Sequence, residues 1–220
     1  MASDQIKHQL DQDQIDDLLF SARLGETQEL KEVLDPILKT DPDALETISN
    51  ESGNTLLHYC CANGHLETAE YLLPHSSLRL LLSQNESGNT PLHWAGLNGH
   101  LKVVVKLLDR IEEAERSDPE LASSLNRILL PPSSSNNQTG SSGDVDDQDK
   151  ERRLWDVRNK AGRGPMSEAQ MNDKEEVVRY LLERMIEGGA NDDAIKAKEE
   201  KESSLDKVQS ATEQLKLSQE

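Results

Sequence analysis

Apolar residues along this chain recur at helical spacing, in paired blocks separated by glycine or by polar turn residues. Leu18, Ala22, Leu30, Val33 and Leu34 form one such pair. A second runs from Leu56-Leu57 to Leu72-Leu73, and a third from Leu92 to Leu107-Leu108. A fourth comprises Met166, Ala169, Val178, Leu181 and Leu182. Glycine divides the first three pairs, at Gly25, Gly64 and Gly99, and Asp173 takes that place in the fourth. Each block therefore predicts a helix, and each pair a helical hairpin.

The middle two pairs are copies of each other. Asn50-Glu51-Ser52-Gly53-Asn54-Thr55 returns unchanged, 35 residues on, as Asn85-Glu86-Ser87-Gly88-Asn89-Thr90. Thr90-Pro91-Leu92-His93-Trp94-Ala95 follows the T-P-L-H-x-A pattern, and a period in the low thirties with that pattern is the signature of ankyrin repeats. Thr55 and Thr90 are placed to cap the first helix, and Pro91 sits where its missing N–H costs nothing. Gly53 and Gly88 suit a turn with positive φ, and Gly64 and Gly99 suit a left-handed helix end. His58 and His93 are expected to hydrogen-bond backbone between repeats, while Cys60, Cys61, Ala95 and Gly96 are small enough for close helix approach.

The outer copies depart from the pattern, as terminal repeats with a solvent-facing side do. Asp16-Asp17 stand at the Thr-Pro start of the first, and Gly164-Pro165 at that of the fourth. The fold class is thus all-α: a solenoid of about four ankyrin repeats over residues 1–188 with short hairpin loops. From Gly99 to Asp173 is 74 residues, which leaves a long insertion at about 110–156. Asp118-Pro119-Glu120 reads as a helix start, with Leu121, Leu125, Ile128 and Leu129 on one face. Residues 131–149 are rich in Pro, Ser, Asn, Gly and Asp, and predict a flexible stretch. Residues 189–220 form a charged tail, in which Leu205, Val208, Thr212 and Leu215 allow a weakly amphipathic helix or a disordered segment that orders on a partner.

Charge narrows the partners. The chain carries 42 Asp and Glu against 24 Lys and Arg, a formal net charge of −18, which repels nucleic acid and anionic membrane and favours basic proteins. Solubility alone also accounts for such acidity. Met1 to His8 lacks the apolar core of a secretory signal and no membrane-length apolar run exists, so a reducing compartment, cytoplasm or nucleus, is expected.

No catalytic motif emerges, and the chain reads as a non-enzyme without cofactor. His58, Cys60, Cys61 and His65 suggest a metal site. The next repeat has His93, Ala95, Gly96 and His100 at the same places, so the frame explains the histidines and no metal is expected. The remaining candidate is a surface. Hairpin tips and first helices of stacked repeats form one concave face, here carrying Glu51, Ser52, Asn54, Tyr59, Ala62 and Asn63, then Glu86, Ser87, Asn89, Trp94, Leu97 and Asn98. Tyr59 and Trp94 are equivalent residues, with Phe20 their counterpart in the first repeat. Two readings stand: the rings pack between helices, or they form an aromatic stripe that anchors an amphipathic basic helix.

The arrangement from Leu18 to Leu182 resembles the fungal ankyrin-repeat chaperones of small-subunit ribosomal protein S-three. Besides the third repeat, the similarity lies in Arg158-Asn159-Lys160-Ala161-Gly162, Lys174-Glu175-Glu176-Val177-Val178 and the tail segment Val208 to Leu215. The resemblance implies a chaperone that shields a new, very basic ribosomal protein and escorts it from cytoplasm to nucleus, possible nuclear import factors included. A generic ankyrin inhibitor of a kinase or transcription factor is the alternative.

Overall fold

The computed structural model describes residues 10–129 and 153–186; the flexible stretch expected at 131–149 and the tail expected at 189–220 lie outside them. The chain divides at Arg179 into two units, and of the second only residues 180–186 are described, in helical conformation.

The first unit is built of helical hairpins in two layers. First helices α1 (Gln12–Leu24), α3 (Leu56–Asn63), α6 (Pro91–Asn98) and α9 (Pro165–Met171) pack in sequence, each on the next. Second helices α2 (Thr27–Leu38), α4 (Leu66–Leu72) and α7 (Leu101–Ser117) form the other layer. Leu30, Leu34, Leu57, Leu72, Leu92, Leu107 and Leu108 are fully buried between the layers. This is a core of thin leucine sheets, consistent with a chain that has a single phenylalanine.

Small side chains set the distance between first helices. Cys60, Cys61 and Ala95 are completely enclosed, and a Cβ on Gly96 would stand 2.9 Å from the Pro165 carbonyl oxygen of α9. The thiol of Cys61 is pushed well up by its hydrogen bond with Cys60 and by burial. Gly64 and Gly99 end their helices with φ of 74° and 80°, as the periodicity predicts, and Asp173 adopts φ 57° in the same role.

The irregular spacing has physical causes. Helix α1 begins at Gln12 behind an Asp11–Gln14 capping box, so Asp16 and Asp17 lie inside it and do not start it as the repeat alignment predicts. A 3₁₀ turn at Ala44–Thr47 lengthens the link from first repeat to second, and the short helix α5 (Leu78–Leu81) leads to the third hairpin. Much of the inserted sequence is helical. Helix α7 runs unbroken to Ser117, and α8 (Pro119–Leu129), with the Asp118 carboxylate accepting from the Leu121 N–H, packs on α5 and α7. On α8 only Leu125 is buried, while Ile128 is exposed. The chain returns at Arg153, buries Trp155 and enters the fourth hairpin; a final helix occupies 175–186.

Candidate protein-binding face

Two histidines hold the central hairpins. The Thr55 N–H donates to His58 Nδ1 at 3.1 Å, and His58 Nε2 meets the Asn89 carbonyl of the next repeat at 3.0 Å. An N–H can only donate and a carbonyl only accept, so the ring is neutral with its proton on Nε2. Thr90, His93 and the Arg163 carbonyl repeat the arrangement one step on, at 3.1 and 3.0 Å. Burial pushes both rings down to about 4. His65 and His100 form a second pair of bridges, to the Arg23 and Ala62 carbonyls at 2.8 and 3.0 Å. The four histidines that suggest metal chemistry are thus engaged with the backbone of their own stack.

An asparagine ladder, which the repeated hexads contain but sequence reasoning did not interpret, joins the tips. Asn85 Nδ2 donates to Asn54 Oδ1 at 2.8 Å, and Asn159 Nδ2 donates to Asn89 Oδ1 at 2.8 Å. Main chain adds Glu86 N–H to Ser52 O at 2.9 Å and Lys160 N–H to Ser87 O at 3.0 Å. Asn159-Lys160-Ala161-Gly162-Arg163-Gly164 is therefore the fourth hexad, with Gly162 at φ 74° matching Gly53 and Gly88. At Gly88 a Cβ would lie 2.7 Å from Lys160 N, so glycine there lets the tips stack.

The fourth tip has its own chemistry. Glu168, equivalent in register to Trp94, is buried and accepts from Asn159 Nδ2 at 2.7 Å and Arg163 Nε at 2.8 Å. Burial alone would raise its pKa, but those two donors outweigh it and hold the carboxyl below its ordinary value. Gly164 replaces the capping threonine because the buried Asp156 carboxylate occupies the space a Cβ would need.

Of the expected face residues, Glu51, Glu86 and Ser87 are exposed at the tips, as is Asn63 on α3, while Ser52 is half-buried. Tyr59, Trp94 and Leu97 are half-buried on adjacent first helices, and Tyr59 Oη accepts from Asn50 Nδ2 at 3.0 Å. Asn54 and Asn89 serve the ladder, and Asn98 Nδ2 donates to the Ala62 and Trp94 carbonyls, so these amides build the frame. The aromatic row continues outward at Phe20, 59% exposed, with Leu24 beside it and Met171, 65% exposed, on α9. Leu24 and Met171 escaped sequence reasoning, although their offsets from Gly25 and Asp173 place them on that face. The indole N–H of Trp94 is buried with no hydrogen-bond partner among the described residues.

Stacked helical hairpins with this turn, cap and histidine bridge define a repeat scaffold, and the chain belongs to the ankyrin-repeat family. The family's sequence profile, ankyrin repeats in three copies, matches residues 18–118. Within the family, the chain is 38% identical over 65 residues to the ankyrin repeat-containing protein YAR1 of Saccharomyces cerevisiae, a match spanning 29% of this chain and 32% of that protein. The chain thus spans about a third of that curated relative's length. A crystal structure of the yeast ribosomal protein Rps3 in complex with its chaperone Yar1 contains a similar chain. There the TM-score is 0.56 at 30% identity, covering 80% of this chain and 95% of that one.

Proposed function

We propose that this protein is a dedicated chaperone of small-subunit ribosomal protein S-three, acting by binding and masking rather than by turnover. The likeness to the chain in the yeast chaperone–Rps3 complex carries this reading, because it extends over 80% of this chain and 95% of that one. The net charge of −18 supports it by favouring a basic client. In this reading an amphipathic basic helix of the client lays its apolar side chains on Phe20, Tyr59, Trp94 and Leu97. Glu51 and Glu86 at the rim steer and orient its lysines and arginines. The chaperone then accompanies the client from cytoplasm to nucleus.

Light scattering of the purified basic ribosomal protein at physiological salt tests the proposal. An equimolar amount of this chain should suppress turbidity; unchanged turbidity rejects the reading.

A further inference from the structure

The tips form one row of inverted charge. Main-chain bonds tie the second hexad to the third and the third to the fourth, so Glu51, Glu86 and Lys160 occupy equivalent positions, and all three are exposed. The signs along the row are negative, negative, positive. Exposed Asp13, Asp16 and Asp17 on α1 extend the negative end. At the fourth tip Arg158 is paired with Asp156 at 3.1 Å and Arg163 with Glu168 at 2.8 Å. Lys160 has no ion pair among the described residues, so it is the projecting cation there.

We infer that this row fixes the direction of the bound segment: the helix lies along the stack with its amino-terminal, cationic end over Glu51 and Glu86 and its carboxyl-terminal, anionic end over Lys160. The inference rests on the chaperone reading and adds to it the polarity and spacing of the occupant. A helix carries roughly +0.5 charge at its amino terminus and −0.5 at its carboxyl terminus, which matches the row in this direction only. Packed helices stand about 8–10 Å apart, so successive anchors on α1, α3 and α6 are separated by about that distance. At 1.5 Å per residue this corresponds to roughly five to seven residues of a helix running across them. The occupant therefore presents apolar side chains at near-heptad intervals to Phe20, Tyr59 and Trp94, with Leu97 and Met171 receiving its carboxyl-terminal turn.

The test uses the full chain and a 20-residue lysine-rich helical peptide with leucine at positions 3, 10 and 17, ending in two glutamates and a free carboxylate. A benzophenone is placed at position 2 or at position 16, and crosslinks are located by mass spectrometry. The first probe should attach within residues 12–63 and the second within 91–98 or 158–171. Reversed or evenly mixed attachment overturns the polarity and leaves the chaperone reading in place. Absence of saturable binding in fluorescence anisotropy overturns the helix-on-face reading and the polarity with it. Lys160→Glu, at an exposed position, should weaken the acid-ended peptide about threefold and favour a lysine-amide-ended version, because a rim charge contributes modestly. Equal affinity of both peptides for the variant and the parent chain also overturns the polarity.

Discussion

The third and fourth hairpins share a backbone and almost nothing else. Both have a glycine with φ near 75°, an asparagine that closes the turn through its own side chain, and a proline that opens the first helix. The third caps its helix with Thr90 and a neutral histidine; the fourth relies on the ionised Glu168 between Asn159 and Arg163, with Asp156 in the space of the missing threonine side chain. One locks with uncharged groups and shows acid to solvent. The other locks with charge and shows a cation. Ankyrin geometry thus constrains φ and hydrogen-bond direction tightly, and leaves the chemistry that satisfies them open.

Acid separates the two locks most strongly. His58 and His93 have folded pKa values of about 4 against 6.5 unfolded, so the unfolded chain binds more protons between these values. Stability is fully present above pH 6.5 and is lost as pH falls toward 4, by roughly 3 kcal/mol per ring. Thermal melts should show this fall, and hydrogen exchange should show the Thr55 and Thr90 amides opening before those of Ala161 and Arg163. A simultaneous loss at all four would erase the distinction.

Making the fourth hairpin look like the third is the next test. Gly164→Thr restores the family pattern and yet should destabilise by about 2 kcal/mol in urea unfolding, because the new Cβ meets the Asp156 carboxylate. Pairing it with Asp156→Ala should recover part of the loss; full tolerance of the single change would refute the steric account.

On the binding side, Trp94→Ala should weaken the client about 10- to 30-fold in calorimetry, with thermal melting confirming the fold. Trp94→Phe keeps the ring, removes the orphaned N–H and should bind nearly as well. The smallest effect belongs to Glu86→Gln, less than about twofold and mainly in the association rate, because rim charges act through long-range attraction.

Much of this was legible beforehand for a plain reason. The hexad at 50–55 and 85–90 repeats letter for letter and runs each time into a leucine and histidine at fixed offsets, so turn glycine, capping threonine and bridging histidine could be assigned without coordinates. The fourth unit was legible only at Pro165, Asp173 and the apolar positions. Its ladder and ion pair depend on Asn159 reaching Asn89, 70 residues earlier in the chain, and no local pattern encodes that contact. The start of α1 was misplaced because a capping box at Asp11 overrides the repeat register, and capping depends on two residues rather than on period. The face was located by analogy between units, and its ends at Leu24 and Met171 were missed where the outer units diverge.

The enclosed sulfur pair on α3 gives the chain a built-in clock. Its only two thiols, Cys60 and Cys61, have no surface in contact with solvent. A colourless aromatic disulfide that releases dye on exchange can therefore react only with molecules in which neighbouring hairpins have parted. The rate of colour development reads out how often the middle of the array breathes. Adding client should slow it without any label being attached.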